Sequence, residues 1–128
     1  MPQEIKQIIL IRRDLKMRQG KSVAQGAHAA SEFMREQLLY ALQGKPIDLS
    51  DAEIQWLKNG MAKITLRANS AEDFESIRDQ AICAGLKVRV ITDSGRTEFH
   101  GVPTVTALAI GPDYASKIDK ITGNLDPL

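Results

Sequence analysis

Aromatic residues and cysteines are scarce in this chain, and each shortage limits what the protein can be. Only 5% of the 128 residues are Phe, Trp or Tyr, so a core must be built from Ile, Val, Leu and Ala. The one cysteine, Cys83, excludes an internal disulfide and fits a reducing compartment. We expect Cys83 to be a buried, inert thiol. The length and the 43% hydrophobic content fit one ordinary domain over residues 1–128.

Long apolar runs are also missing. The N-terminal stretch MPQEIKQIILIRRD contains only four consecutive apolar residues, IILI, before two arginines. Such a run is too short for the core of a secretory signal and far too short to span a bilayer. We therefore expect no membrane segment and a cytoplasmic location.

The net charge of the chain is small, but its charged residues are unevenly distributed. The net charge is +1, yet residues 1–21 contain six Lys or Arg against two carboxylates, which gives +4, and the remainder is about −3. Such a cluster attracts phosphate groups, although charged runs are more often plain solvated surface. On its own the cluster leaves both interpretations open.

Strand and helix patterns alternate along the chain, without repeats or low-complexity tracts. Period-two and short apolar patterns predict strands, and 3.6-residue periodicity with capping signals predicts helices. The predicted strands are 5–12, 61–67, 86–92 and 104–110, and the predicted helices are 21–42, 50–59, 70–84 and a last one that starts at Pro112 and ends before Gly123.

This order predicts an α/β fold, a single-domain α/β/α sandwich with a mixed four-stranded sheet and helices on both faces. Only about ten residues, DSGRTEFHGVP, join the last two strands. A parallel crossover needs a dozen or more residues, so the last strand is expected to run antiparallel to its predecessor.

The stretch MRQGKSVAQGAHAA contains a Gly-Lys-Ser triplet that suggests a nucleotide-binding loop. The phosphate-binding motif G-x-x-x-x-G-K-[ST] requires a glycine at position 15, where this chain has Leu15. A nucleoside triphosphate site is therefore not expected. Helical spacing instead separates an apolar stripe, the predicted core face, from a polar stripe. The apolar stripe is Val23, Ala27, Ala30, Met34 and Leu38, and the polar stripe is Lys21, Gln25, His28, Glu32 and Arg35.

A second polar loop follows the third predicted strand, at Asp93, Ser94, Gly95, Arg96 and Thr97. Asp-Ser-Gly is ordinary turn sequence when it stands alone. However, ligands gather at the carboxyl ends of parallel strands, where this loop and the start of the first helix both fall. A carboxylate that faces a lysine and a histidine there could order a water, take its proton and leave a cation to stabilise an oxyanion.

Four segments together resemble the type II peptidyl-tRNA hydrolases, which occur in archaea, eukaryotes and some bacteria; we expect a bacterial member. They are DLKMRQGKSVAQGAHAA, VRVITDSGRTEF, TVTALAIGP and IDKITGNL, in the family's order, between about Ile5 and Leu125. The resemblance implies cleavage of the ester between peptide and tRNA, recycling of the tRNA, and no metal or organic cofactor. It places the family's helix residues on Lys21, Gln25 and His28, and its loop residues on Asp93 and Thr97 with Arg96 between them.

Two segments depart from the family pattern. Gly26 and Ala27 stand where the family usually has Cys-Ser, which rules out a thiol nucleophile at that point. The turn before the last strand reads HGVPT instead of a Pro-Gly-Ser/Thr turn. A substrate hydrogen bond from that turn is therefore not assumed.

The resulting hypothesis assigns each candidate residue a role. Lys16, Arg18 and Lys21 would attract the tRNA acceptor end through phosphate contacts. Either Asp93 or His28 would deprotonate the water, a choice that the sequence leaves open. Lys21, with Gln25 or Thr97, would stabilise the oxyanion, and Arg96 would contact substrate.

Other interpretations stay open beside this one. His28 and His100 stand alone, without metal-ligand spacing, so no metal is expected. The main rival is a non-catalytic module that holds RNA ends or a protein partner on the same fold. A homodimer is also left open, because Trp56, in the segment 44–60, could serve an interface as readily as a core.

Overall fold

Across residues 3–96 and 98–128, the part of the chain that the computed structural model describes, four strands and four helices form. The strands are β1 (Ile5–Arg12), β2 (Lys63–Ala68), β3 (Val88–Asp93) and β4 (Thr104–Tyr114). The helices are α1 (Gln19–Leu42), α2 (Asp51–Lys58), α3 (Ala71–Cys83) and α4 (Ala115–Thr122), and a 3-10 turn covers Arg13–Leu15.

The strands lie in the order β2-β1-β4-β3 in one mixed sheet. β2 pairs with β1 in parallel, and β4 runs antiparallel to both β1 and β3. The short connection between the last two strands correctly predicted their antiparallel pairing. Since β1, β2 and β3 share one direction, their carboxyl ends lie at the same edge of the sheet.

Side chains alternate between the two faces of the sheet, and each face packs against helices. One face meets α3 and α4, and the other meets α1, which confirms the predicted α/β/α sandwich. The main residues of the first cluster are Ile8, Leu10, Leu66, Phe74, Ile77, Leu108, Ile110 and Ile118, and those of the second are Ile9, Ile11, Ala29, Ala30, Ile91, Ala107 and Ala109.

The predicted capping box starts α2, and Trp56 then joins the core. The Ser50 side chain accepts from the Glu53 backbone N–H, while the Glu53 carboxylate accepts from that of Ser50. Trp56 is only 1% exposed, packs edge-on against Phe33 and donates its indole N–H to the Ala62 carbonyl. Trp56 is therefore a core residue and gives no support to an interface.

The predicted core face of α1 is confirmed at Ala30 but is otherwise wrong. Val23 and Leu38 are 66% and 63% exposed, whereas the buried residues of α1 are Gln25, Ala29, Ala30 and Phe33. A Cβ at Gly26 would lie 3.7 Å from Ile9, so the small residues are the ones that face the sheet. Close approach of the helix to the sheet favours this stripe, which is rotated by roughly a third of a turn from the predicted one.

Two further predictions are wrong. Cys83 is exposed, because it lies in the last turn of α3, beyond Ala81, the last buried residue of that helix. Pro112 does not start the last helix, since β4 continues through it to Tyr114. The pairing with β1 shifts register there, and a proline without an N–H is tolerated in a strand at such an irregularity.

A tail segment runs along the outer edge of β2. The Arg67 N–H donates to the Asp126 carbonyl at 3.0 Å, and the Leu128 N–H donates to the Thr65 carbonyl at 3.1 Å. An antiparallel bridge between Leu66 and Pro127 lies between these bonds. Residues 126–128 thus cover part of the edge that β2 would otherwise present to solvent.

Candidate active site

The loop between β1 and α1 brings Lys21 to the edge of the sheet where the parallel strands end. β1 ends at Arg12, the 3-10 turn follows, and Lys16 adopts the left-handed backbone conformation with φ 52°. That conformation is uncommon outside glycine, and here it ends the turn before α1 begins at Gln19. Lys21 consequently lies in the first turn of α1.

Lys21 and Asp93 form an ion pair at this edge. Lys21 Nζ lies 2.7 Å from Oδ1 of Asp93, the last residue of β3, and the two side chains are only 14% and 12% exposed. The Lys21 hydrogen bond, helped by the Gly95 backbone N–H, lowers the pKa of Asp93 below its ordinary value despite the opposing effect of burial. Asp93 is therefore ionised at neutral pH.

The turn at Gly95 fixes the orientation of the Asp93 carboxylate. Gly95 donates its N–H to Asp93 Oδ2 at 2.8 Å and accepts a 2.9 Å hydrogen bond from the Gly101 N–H. Its φ is +85°, and an added Cβ would lie 2.2 Å from the Val102 carbonyl oxygen. Only glycine fits this position, so the turn depends on it.

Gln25 lies one turn after Lys21 and is held from the sheet by Thr106. Gln25 is 7% exposed, and its Oε1 accepts a hydrogen bond from the Thr106 hydroxyl. Ile91 pairs with Ala107 but Thr92 pairs with Val105, so Thr106 is the extra residue of a β-bulge. With its oxygen committed to Thr106, Gln25 offers its amide NH₂ as a donor.

Sequence reasoning missed Thr106. Strict alternation in TVTALAI would place Thr106 with Leu108 and Ile110, on the face that packs against α3 and α4. The bulge turns Thr106 to the α1 face instead. A hydroxyl between the apolar residues Val105 and Ala107 was the signal that the sequence offered.

The predicted binding residues that the structure describes, Lys16, Arg18 and Arg96, are all exposed. Lys16 is exposed in the β1–α1 loop, and Arg96 is exposed in the loop after β3. Arg18 is 81% exposed, and its Nε lies 2.8 Å from the Glu98 carboxylate, which ties the two loops together. Thr97 lies outside the described residues.

His28 is separated from the ion pair. It is exposed on α1, seven residues beyond Lys21, which corresponds to about 10 Å along the helix axis. Within the described part of the chain, no hydrogen bond or ion pair joins His28 to Lys21 or Asp93. The structure therefore pairs Lys21 with Asp93 and places Gln25 one helical turn after Lys21, whereas His28 lies almost two turns after it.

The assembled groups suit an attack by water on a carbonyl. An oriented carboxylate can accept a proton from water, and a cation beside an amide donor can stabilise a developing oxyanion. Among the residues described, no three His, Cys, Asp or Glu side chains group as a metal site would require. Freedom from a metal requirement stays a prediction. No helix in the described ranges is both long and apolar enough to cross a bilayer.

Comparison with known proteins points to one family. The family model described as Peptidyl-tRNA hydrolase PTH2 matches residues 5–128. The chain is 40% identical over 121 residues to the peptidyl-tRNA hydrolase of Methanocaldococcus jannaschii, with 94% of this chain and 97% of the relative covered. It is 37% identical to the peptidyl-tRNA hydrolase of Aeropyrum pernix, with 94% and 93% covered.

A fungal relative is similar over a shorter share of its own length. The chain is 38% identical over 122 residues to the probable peptidyl-tRNA hydrolase 2 of Schizosaccharomyces pombe. The match covers 95% of this chain and 55% of that relative. The similarity thus extends across archaeal and eukaryotic proteins.

Proposed function

The chain belongs to the peptidyl-tRNA hydrolase PTH2 family, and from that premise we propose that it hydrolyses the ester joining a peptide to the terminal ribose of tRNA. The products are a free peptide and a reusable tRNA, and the reaction takes place in the cytoplasm. The observation that carries the assignment of the site is the Lys21–Asp93 ion pair at the carboxyl ends of the parallel strands. A bacterial source and a homodimer both stay predictions.

Asp93, rather than His28, is proposed to activate the water. Asp93 is ionised and held in place by Lys21 and the Gly95 N–H, whereas His28 is exposed about 10 Å further along α1. A water bonded to the carboxylate attacks the ester carbonyl carbon and passes its proton to Asp93. When the tetrahedral intermediate collapses, the bond to the ribose oxygen breaks, and that oxygen takes the proton.

Lys21 is proposed to couple proton uptake by Asp93 to stabilisation of the oxyanion. In the resting site its hydrogen bond keeps the pKa of Asp93 low, which makes the carboxylate a weak base. As negative charge develops on the carbonyl oxygen, Lys21 turns part of its hydrogen bonding to that oxygen. The carboxylate then becomes more basic at the moment when it must hold a proton. The Gln25 amide supplies a second, neutral donor to the oxyanion.

The remaining predicted residues are proposed to bind substrate. Lys16 and Arg18 are exposed cations at the start of α1, and they would contact phosphates of the acceptor end without reading sequence. Arg96, exposed in the loop after β3, and Thr97 would contact the peptide or the terminal ribose. No cofactor is part of the proposal.

Release of peptide from purified peptidyl-tRNA tests the function. We expect the wild-type protein to release peptide at the same rate with and without a chelator. Lys21→Ala and Asp93→Ala should each lower kcat/KM by roughly 10² to 10³, while circular dichroism shows that both variants stay folded. Full turnover by both folded variants would refute the proposed site. Tight binding of peptidyl-tRNA without release by the wild type would favour the non-catalytic module.

A further inference from the structure

A groove lies between α1 and the β1–β2 side of the sheet, across the start of α1 from the Lys21–Asp93 pair. Its volume is about 1080 Å³, above the range of about 300–1,000 Å³ that is usual for small-molecule sites. Ile9 and Ile11 of β1 form an apolar floor, and Val23 and Ala27 of α1 form an apolar wall. Val23 and Ala27 are exposed, although the sequence pattern predicted them on the core face of α1. A groove of this size fits a segment of a chain molecule.

The rim of the groove is positively charged. Arg12, Arg13, Lys16 and Lys63 line it, and no Asp or Glu is among the described residues that do. Asp14 already pairs with Arg12 at 2.6 Å. Of the other three cations, Arg13 donates to the Leu128 backbone oxygen at 3.4 Å and Lys63 donates to the Met61 carbonyl at 2.9 Å. Within residues 3–96 and 98–128, none of the three pairs with an Asp or Glu side chain. The groove therefore suits a ligand that carries several negative charges.

The groove is placed to receive one arm of a substrate cleaved at the ion pair. Lys16, Met17 and Gln19 line its end at the start of α1, next to the first turn of that helix, which carries Lys21. On the other side of the site, the loop 94–103 contains one Arg and one Glu, so it carries no net charge with its histidine neutral. The arm that carries phosphates is therefore expected on the groove side, and the peptide arm on the loop side.

We infer that this groove binds the single-stranded 3′ end of the tRNA. The phosphates lie along Arg13, Lys16 and Lys63, and the nucleosides lie on the apolar floor, without sequence readout. The inference rests on the proposed function, because the identity of the polyanion comes from it. It adds Arg13, Lys63 and the wall at Ala27 to the substrate-binding surface.

A pair of substitutions of similar size at Ala27 tests the inference. Ala27 is exposed on the groove wall, and Glu and Gln have similar helix propensities, so Ala27→Glu and Ala27→Gln should both fold. We expect Ala27→Glu to weaken binding of deacylated tRNA, and to lower kcat/KM for peptidyl-tRNA, by about tenfold relative to Ala27→Gln, because only the carboxylate repels phosphates. With the same peptide esterified to adenosine, which has no phosphate, the two variants should turn over equally.

Neutralising the rim cations provides a second measurement. Arg13→Gln and Lys63→Gln should each reduce the salt dependence of tRNA binding, lowering the slope of log affinity against log salt by about 1. Lys120→Gln is the matched control, because Lys120 is exposed on α4, across the sheet from the groove. That control should leave the slope unchanged.

Three results would overturn the inference. Equal losses for Ala27→Glu and Ala27→Gln on peptidyl-tRNA, repeated at the same size on the adenosine ester, would place the peptide in the groove. Wild-type binding and turnover by both variants would show that the groove is unused, and unchanged slopes for both cation variants would show that the rim meets no phosphate. Failure of the proposed function looks different, since the wild type would then release no peptide from either substrate. The binding of deacylated tRNA to the Ala27 variants would still show whether the groove binds tRNA.

Discussion

Lys21 and Asp93 each depend on the other for a favourable charge state. Both side chains are largely shielded from water, so the loss of one partner would leave the other charge poorly solvated. The lowered pKa of Asp93 has the sign that such a contact produces. The resting pair is thus a stable arrangement that a substrate must partly displace.

The pH dependence of the reaction should distinguish Asp93 from a histidine base. Because the Lys21 and Gly95 hydrogen bonds hold the folded-state pKa of Asp93 below its ordinary value, the carboxylate stays ionised across the pH range in which histidines titrate. Its contribution to stability is likewise present above the unfolded pKa of about 3.9 and is lost as the pH falls through the lower folded value. We expect kcat/KM to stay flat from about pH 8 to about pH 5, whereas a histidine base would lose activity below about pH 6.5.

The matching substitution is His28→Ala. Since His28 is exposed and outside the hydrogen-bonded site, its removal should change kcat/KM by less than about threefold. An acidic limb near pH 6.5 that disappears in His28→Ala would instead assign the proton transfer to His28.

At the scale of elements, the bulge in β4 connects the sheet to α1. Thr106→Val keeps the shape of the side chain but removes the hydroxyl, which leaves the buried Gln25 oxygen without its donor. We expect a loss of about 1–3 kcal/mol in the free energy of unfolding, measured by urea denaturation, together with a lower kcat. Thr106→Ser, which keeps the hydroxyl, is the control and should restore kcat. Equal kcat in Thr106→Val and wild type would show that catalysis does not need the hydrogen bond from Thr106 to Gln25.

The loop after β3 makes a separate prediction. Gly95→Ala would force a Cβ against the Val102 carbonyl and into a positive-φ conformation, so the turn that holds Asp93 should rearrange. We expect kcat/KM to fall by more than about tenfold. Gly101→Ala is the matched control, because Gly101 also has a positive φ but nothing lies within 4 Å of an added Cβ. If the two variants lose activity equally, the crowding at Val102 is irrelevant.

The elements differ in how far the sequence could predict them. Strands, helices and the antiparallel last strand follow from local periodicity and connection length, and the ion-pair residues follow from their positions at strand and helix ends. The buried stripe of α1 does not, because its apolar stripe and its small-residue stripe are both plausible core faces. The position of Thr106 requires the bulge, and the groove requires the packing of α1 on the sheet. Both depend on tertiary contacts that no local pattern encodes.

At the scale of the whole molecule, the uneven charge of the sequence gives a positively charged surface near the site. The +4 excess of residues 1–21 is largely gathered in the loop and first turn that border the site and the groove. Because phosphate contacts release counterions, kcat/KM for peptidyl-tRNA should fall roughly 20-fold between about 50 and about 200 mM salt if three contacts form. The adenosine ester is the control, and its turnover should be nearly independent of salt. Equal salt effects on both substrates would contradict phosphate steering.

The tail along β2 has a consequence for how copies of the protein behave at high concentration. An uncovered edge strand offers a row of free N–H and C=O groups on which a strand of another molecule can assemble. Here the Arg67 N–H already donates to Asp126, and the Thr65 carbonyl already accepts from Leu128. Pro127 between them has no N–H to offer to an incoming strand. The tail thereby guards this side of the sheet against edge-to-edge aggregation.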